Sequence, residues 1–537
     1  MMIKSSLFRA AALLLITGKL AAQEHGHPQS AEKLATVHFA TSCSPSVAAQ
    51  FDRGVALLHS FEFGASIRAF NDVLAADSSC AMAYWGLALS RWTNPFVANV
   101  RTPAQLAPGR EAVNNALRLG TNTSDRERGY IAAAAQLFTD YEHVDQRTRI
   151  QRYADAMAAL SAAQPQDTEA KIFYALSLAA AASPMDKTFA NQLKAGAILE
   201  SLFVKQPTHP GLAHYIIHSY DYAPLAKQAG RAAAQYADIA PSAAHALHMP
   251  SHTFTRVGMW EESINTNRRS RQVALNTGSI SEALHAMDYS MYALLQLGRD
   301  SAAKALLDMM PAIAARLDLN AITGAAPGSA GVFAIAAIPA RWALERRAWT
   351  EAAALQPHAS PYANTEAMTY FARALGAAHI GDFAASRVAI DSLNSIQERL
   401  TKSGEVYWAQ QVRIQRTGAG AWLALAERRN DQALELMRQA AATEDSTEKN
   451  AVTPGPLLPA RELLGDMYME LKRPADALKE YRATLEKEPN RFRALYGAMR
   501  SARLAGDRAA AERFQAELRR LLASADARAR PEFRDVF

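Results

Sequence analysis

Histidine is concentrated in one short stretch of this sequence. Seven of the fourteen histidines lie between residues 209 and 288. His214 and His218 are four residues apart, and His248 and His252 repeat that pair 34 residues later. Because side chains at positions i and i+4 stack on one face of a helix, each pair presents two imidazoles together. Helical zinc sites use the same spacing, so the pattern predicts a transition-metal site assembled from neighbouring helices.

The helices that would carry these pairs follow a repeat of small and aromatic residues. The repeat has a small residue in a first helix, another twelve positions later, an aromatic residue four after that and a closing proline. Three units fit it: Gly54, Ser66 and Phe70, with Ser78 in place of the proline; Ser251, Gly258, Met259, Trp260 and Ser263; and Leu464, Gly465, Ala477, Tyr481 and Pro489. Alternating runs rich in Val and Ile, which indicate strands, are not seen. The sequence therefore predicts an all-α chain.

This repeat, together with the 34-residue step, resembles the tetratricopeptide repeat superfamily over most of the mature chain. The resemblance implies a right-handed α-solenoid of helix–turn–helix units, which binds ligands along its concave surface. We expect an N-terminal array over residues 46–320, which contains the histidines, and a C-terminal array over residues 321–537 that continues the same solenoid. The resemblance also implies a protein or peptide as a possible partner in the groove.

The repeat frame selects the residues that should face the groove. Units that begin at Pro210, Ala244 and Leu284 direct their second, fifth, ninth and twelfth residues to the concave face. The metal ligands predicted in this way are His214, His218, His248, His252, His285 and Asp288. The residues expected to orient them or to contact a bound molecule are Asp221, His245, Arg256 and Tyr292. Imidazoles with a carboxylate suit Zn, Cu, Fe, Mn or Ni, and the ligand types do not distinguish among these metals.

Two functions remain open on the sequence. A metal with an open coordination position and a nearby carboxylate permits water activation, as in a hydrolase, or oxidative chemistry. The motif HExxH, a Gly-x-Ser-x-Gly elbow and a phosphate-binding glycine-rich loop are absent, so the sequence does not decide whether the protein is an enzyme. The alternative is a scaffold for an exported protein or peptide, without metal or catalysis. The histidines would then have structural or peptide-contact roles.

The first 22 residues have the features of a cleaved export signal. Lys4 and Arg9 precede a short apolar core, and Leu20, Ala21 and Ala22 provide a plausible cleavage site. The core is too short to cross a bilayer, and no later segment is a candidate membrane span. We therefore expect a periplasmic or secreted protein with a flexible polar lead over residues 23–45.

Net charge gives little information about partners. The formal charge of +6 falls to +3 when Lys4, Arg9 and Lys19 are removed with the signal. The arginines near the C-terminus alternate with acidic residues, which is typical of solvated helix faces. No nucleic-acid partner is expected.

The two cysteines, Cys43 and Cys80, are 37 residues apart, close to one repeat period. Export to an oxidising compartment favours a disulfide between them. Two buried free thiols are the alternative.

The segment over residues 442–465 is an unusually long Pro- and Gly-rich connection. Long ordered loops in compact arrays are uncommon and are often functional. A surface connection and a loop that folds over the groove are both consistent with its sequence.

Overall fold

The architecture follows from helices that pair with their neighbours along the chain. A computed structural model describes residues 32–97, 100–183, 185–526 and 530–537, so the predicted signal over residues 1–22 lies outside the described residues. The described part contains α-helices and short 3-10 helices and no β-strand. Lys33–Phe537 form one unit. The all-α fold class predicted from the sequence is confirmed.

The N-terminal helices are α1 (Ala48–His59), α2 (Phe63–Ala76), α3 (Ala81–Trp92), α4 (Pro103–Leu119), α5 (Asp125–Gln136), α6 (Gln146–Ala163), α7 (Thr168–Ala180) and α8 (Ala190–Phe203). The central helices are α9 (Pro210–Ser219), α10 (Gly230–Ile239), α11 (Ala244–His248), α12 (Pro250–Arg256), α13 (Trp260–Thr277), α14 (Ile280–Gln296), α15 (Asp300–Ala314) and α16 (Gly328–Glu345). The C-terminal helices are α17 (Trp349–Ala354), α18 (Ala363–Ile380), α19 (Phe383–Lys402), α20 (Val406–Ala426), α21 (Asn430–Asp445), α22 (Ala460–Glu470), α23 (Pro474–Lys487), α24 (Phe492–Leu504) and α25 (Arg508–Leu521).

The small and aromatic residues of the repeat set the distance between successive units. The ring of Phe70 on α2 lies between Gly54 on α1 and Gly86 on α3; a Cβ atom on Gly86 would be 2.3 Å from the Phe70 Cζ. The ring of Tyr481 fills the same place between two glycines near the C-terminus, Gly465 and Gly497. Helices approach this closely only where a side chain is missing. The chain is thus a solenoid of tetratricopeptide-like helix pairs, as the sequence predicted.

The later repeats fold back on the central ones. The Trp260 indole donates to the Asn490 carbonyl over 2.9 Å, and the Phe492 amide donates to the Gln296 side chain over 3.0 Å. Further along, the Arg530 guanidinium pairs with the Asp300 carboxylate at 2.6 Å. These contacts bring the C-terminal array against α13 and α14, which carry part of the histidine region.

The N-terminal lead differs from the flexible segment that the sequence predicted. From residue 33 onward it packs on the first repeats: Leu34, Val37 and Phe39 are buried. The segment ends in a disulfide between Cys43 and Cys80, whose Cα atoms are 4.8 Å apart. The segment is polar overall, so the sequence did not indicate that its three apolar side chains would be buried against the repeats.

The apolar stretch over residues 321–339 divides into a loop and the first part of α16, which is a largely buried helix. Among the described residues, no helix is long and apolar enough to cross a membrane.

Candidate metal centre

Four helices bring six histidines into one buried cluster. α9 carries His214 and His218, α11 carries His245 and His248, and α12 and α14 carry His252 and His285. The six form two triads: His214, His218 and His245, then His248, His252 and His285. In each triad one ring nitrogen per residue lies within 4.8 Å of the other two. These distances allow a triad to hold one metal ion.

The first triad presents its lone pairs in a common buried region. The Nδ1 atom of His214 donates to the carbonyl of His59 over 2.6 Å, and that of His245 donates to Glu282 over 3.0 Å. A neutral imidazole with its proton on Nδ1 has a lone pair on Nε2. The Nε2 atoms of His214, His218 and His245 are buried and have no hydrogen-bond partner among the described residues. Partners outside the triad therefore orient the rings of His214 and His245, as they do for ligands in known metal sites.

In the second triad, the Nε2 atoms of two histidines face each other. The Nδ1 atom of His248 lies 2.6 Å from the Asn267 Oδ1, and the Asn267 amide nitrogen donates to Ser263, which fixes the orientation of the amide. The Nδ1 atom of His252 lies 2.9 Å from the Asp221 carboxylate. Both protons are therefore on Nδ1, yet the two Nε2 atoms are only 3.0 Å apart. Two facing lone pairs at this distance repel unless a cation lies between them.

The two triads adjoin each other. Ring centroids are 5.9 Å apart for His245 and His248 and 6.1 Å apart for His218 and His252. All six side chains are at most 7% exposed. Burial lowers the pKa of every one of them, to about 3 for His248 and well below the usual value for His214, His218, His245 and His285. The imidazoles are thus neutral at pH 7, the form that binds metals.

Three loops cover the cluster, and we call them the cover loops. The first comprises the described residues 93–97 and 100–102, the second residues 315–327 and the third residues 446–459. From the first, Phe96 stacks on His218 at 4.1 Å between ring centroids. From the second, the Ala326 amide donates to Glu282 over 2.9 Å. From the third, the Lys449 ammonium lies 3.2 Å from Asp221. The histidines are therefore enclosed rather than open to a concave groove, and the segment over residues 442–465 folds over them.

Two residues have other positions than the sequence suggested. Asp288 is in neither triad, because both of its carboxylate oxygens accept hydrogen bonds from Arg341, over 2.7 and 3.3 Å. His245, which was expected only to support the ligands, is a member of the first triad. The ligand set that the structure assembles is therefore six imidazoles without a carboxylate.

Of the three remaining predicted residues, two lie beside the cluster. Asp221 accepts a hydrogen bond from His252 and pairs with Arg256 at 2.9 Å, so both lie directly behind the second triad. Tyr292 lies elsewhere: its hydroxyl donates to Glu488 over 2.6 Å and accepts from Arg491.

Sequence reasoning predicted Asp221 but missed the three other groups that hold ring nitrogens. Glu282 precedes His285 by three residues on α14, a spacing that could have indicated it. Asn267 lies on α13, and the His59 carbonyl is at the end of α1. Neither bears any fixed spacing to the histidines, so no sequence signal pointed to them.

A separate group contains His59, Glu169 and His209. The Glu169 carboxylate accepts from both imidazoles, over 3.0 and 2.8 Å, and the second nitrogen of His59 bonds to the Tyr215 hydroxyl. Facing charges and hydrogen bonds from both histidines lower the pKa of Glu169 despite its burial. These hydrogen bonds favour the structural role that the sequence suggested for both histidines. The Nδ1 atom of His209 is buried and has no hydrogen-bond partner among the described residues, and the three side chains lie close enough together to form a further candidate metal group.

Two cavities adjoin the cluster. The smaller, of about 50 Å³, is lined by His218, His245, His252 and His285 and by residues of all three cover loops. The larger has a volume of about 670 Å³. Phe333, Asn364 and Trp408 line both, so the two cavities are adjacent.

No protein-family model matches the chain, and no curated protein matches it. Several solved structures are similar to this chain at low identity. The human IFIT1 dimer with m7Gppp-AAAA is 9% identical and has a TM-score of 0.37, over 90% of this chain and 96% of that one. The APC/C hetero-tetramer Cut9-Hcn1 gives 12% identity and a TM-score of 0.34, over 91% and 89% of the two chains. Ypp1 is 8% identical and has a TM-score of 0.49, over 89% of this chain and 81% of that one.

Proposed function

We propose that this solenoid protein binds two transition-metal ions side by side, one on each histidine triad. The observation that carries the proposal is the pair of Nε2 atoms of His248 and His252, which face each other at 3.0 Å while both Nδ1 atoms lie against acceptors. The three partnerless Nε2 atoms of the first triad, within the described part of the chain, support a second ion. A cation satisfies all of these lone pairs.

The ligand types narrow the choice of metal. Neutral imidazoles suit Zn, Cu, Fe and Ni, whereas Mn, Mg and Ca favour oxygen ligands. Because Asp288 is held by Arg341, manganese becomes a poorer candidate than the sequence suggested. The nearest carboxylates, Asp221 and Glu282, act through His252 and His245, where they increase the basicity of the ligands.

Three imidazoles leave one position open on each ion, which is the condition for metal-assisted catalysis. Four of the six histidines line the small cavity, whose volume of about 50 Å³ has room for a few water-sized molecules. We therefore infer a metalloenzyme that activates water or another small ligand in this cavity, on a substrate that reaches it from the larger one.

Metal analysis of the purified chain tests the proposal. The protein is loaded separately with Zn, Cu and Fe, desalted and assayed for metal per chain. We expect about two ions per wild-type chain and about one in His214→Ala or His248→Ala, because each change removes one triad. His379→Ala is the matched control: His379 is another largely buried histidine whose Nε2 lacks a partner among the described residues, but it lies in neither triad.

Uptake of no metal by the wild type would refute the metal function. Uptake that persists unchanged in both triad variants would place the metal elsewhere. A single ion lost equally in both variants would replace the two-ion centre with one shared site.

We also propose that the protein acts outside the cytoplasm. The disulfide between Cys43 and Cys80 supports an oxidising compartment. Detection of the untagged chain in periplasmic or culture-medium fractions would test this.

A scaffold that binds a protein or peptide remains the competing function, and its support is the solenoid architecture alone. It predicts a partner in pull-downs that is insensitive to chelators, together with a chain that takes up no metal.

A further inference from the structure

The larger cavity has the size and walls of a site for a small organic molecule. Its volume of about 670 Å³ lies within the usual range for such ligands. α20 contributes one stripe at helical spacing, Trp408, Gln411, Val412 and Gln415. The other aromatic and apolar walls come from Phe189, Trp260, Phe333, Met368 and Tyr407.

The end of this cavity near the histidines carries a surplus positive charge. Arg256 and Lys449 both line the cavity, and both pair with the single carboxylate of Asp221, at 2.9 and 3.2 Å. The three side chains are only 8–9% exposed. Two cations and one anion leave about one uncompensated charge, which is costly at this degree of burial.

The other cations of the wall are balanced by carboxylates. Lys187 pairs with Glu448, and Arg341 with Asp288. Lys487 and Arg461 both bond to Asp445, and Arg461 also reaches Glu480. Glu448 also acts electrostatically on Arg256 and Lys449. Three cations, Arg256, Lys449 and Lys187, therefore share two carboxylates, Asp221 and Glu448, and a surplus of about one positive charge remains at this end of the cavity.

The cavity wall also contains a neutral hydrogen-bond donor without a partner among the described residues. Trp408 is 8% exposed and lines both cavities, and its indole Nε1 has no hydrogen-bond partner within the described part of the chain. An indole nitrogen only donates, so it calls for an acceptor on the ligand. A carboxylate satisfies a free donor and a surplus cation alike, and the aromatic walls suit an apolar body.

We propose that the larger cavity binds an organic carboxylate with an aromatic or apolar body, held at its charged end by Lys449 and Arg256. The proposal deepens the metal function, because the ligand's role as a substrate of the histidine cluster rests on that function. Binding itself depends only on the cavity and can be measured with or without metal.

The test is a calorimetric titration of the full chain with three aryl carboxylates: benzoate, 3-phenylpropionate and 2-naphthoate. Each is compared with the alcohol and the amine of the same carbon skeleton, first on metal-free and then on metal-loaded protein. We expect at least one carboxylate to bind at least tenfold more tightly than its alcohol and its amine.

Lys449→Met should abolish this preference, because the remaining Arg256–Asp221 pair is already balanced. Lys449→Arg, which keeps the charge, should retain it and serves as the test if the methionine variant fails to fold. Lys487→Met is the matched control: Lys487 also lines the cavity, but its partner Asp445 keeps Arg461, so the preference should change by less than twofold.

The proposal is overturned if none of the carboxylates binds, if the alcohols or amines bind as tightly, or if Lys449→Met keeps the preference. Carboxylate binding by a protein that takes up no metal would uphold the cavity assignment and refute the metal function. Metal uptake without carboxylate binding would do the opposite, so the two failures are distinguishable.

Discussion

Replacing Asp288 by asparagine separates a metal ligand from a structural anchor. Asp288 and Arg341 are 0% and 1% exposed, with 2.7 Å between Oδ1 and Nε. Removing one partner of such a buried pair leaves an uncompensated charge, at a cost of about 3–5 kcal/mol. Arg341 keeps hydrogen bonds to Thr453, Gly455 and Pro456 of the third cover loop. We therefore expect the free energy of unfolding to fall by about 3 kcal/mol, the lower end of that range, and the metal content to stay unchanged.

Two measurements on Asp288→Asn check this. Urea unfolding of the metal-free protein, followed by circular dichroism, gives the change in stability, and elemental analysis gives the metal per chain. Because Arg341 links α14 to the third cover loop, amide hydrogen exchange over residues 450–457 should also accelerate. Adding Arg341→Met removes the unpaired charge, so the double variant should recover at least about 1 kcal/mol relative to the sum of the single changes.

The opposite pattern would refute this reasoning. If Asp288→Asn lost one metal ion per chain and kept its stability, Asp288 would be a ligand, and the ion pair would be a feature of the metal-free state. Strict additivity of the two substitutions would show that the pair does not couple the loop to α14.

Three further predictions concern stability and metal affinity. Acid should destabilise the metal-free protein: burial lowers the pKa of His248 to about 3, so the unfolded chain binds more protons between pH 6.5 and 3. Stability then falls with falling pH, by about 1.4 kcal/mol per unit from this residue alone, and a constant urea midpoint over that range would contradict this. Reduction of the Cys43–Cys80 disulfide, with its separation of 37 residues, should cost about 4 kcal/mol, visible as a lower melting temperature that the double serine variant reproduces. Asn267→Ala should weaken metal binding by about 10–100-fold in chelator competition, because it frees the His248 ring; unchanged affinity would remove Asn267 from the site.

The fold could be predicted from the sequence because its determinants are local and periodic. Gly54, Phe70 and Gly86 mark one interface between units, and Gly465, Tyr481 and Gly497 mark another. The same periodicity predicted five of the six clustered histidines as ligands of one site. His245 occupied a predicted groove position as well, and only its role was underestimated.

What could not be predicted depends on contacts between distant segments. Asp288 lies one turn from His285 and looked like a ligand, but its partner Arg341 comes from α16, 53 residues later. The cover loops lack a repeat period, so the stacking of Phe96 on His218 and the approach of Lys449 to Asp221 have no signal in the sequence. Repeat spacing therefore predicted the histidine cluster, and contacts between distant segments determine which groups its ring nitrogens face.

Because the site is closed to solvent, burying the six imidazoles carries an energetic cost. Each buried polar atom without a partner costs about 1–3 kcal/mol, and the first triad alone has three such atoms among the described residues. Apolar side chains would fill this space at no such cost. A ligand that binds only the folded state returns stability in proportion to its affinity, about 4 kcal/mol at a thousand times its dissociation constant. Under the proposed function, a cation satisfies the lone pairs of the rings that Glu282, Asn267 and Asp221 hold in place.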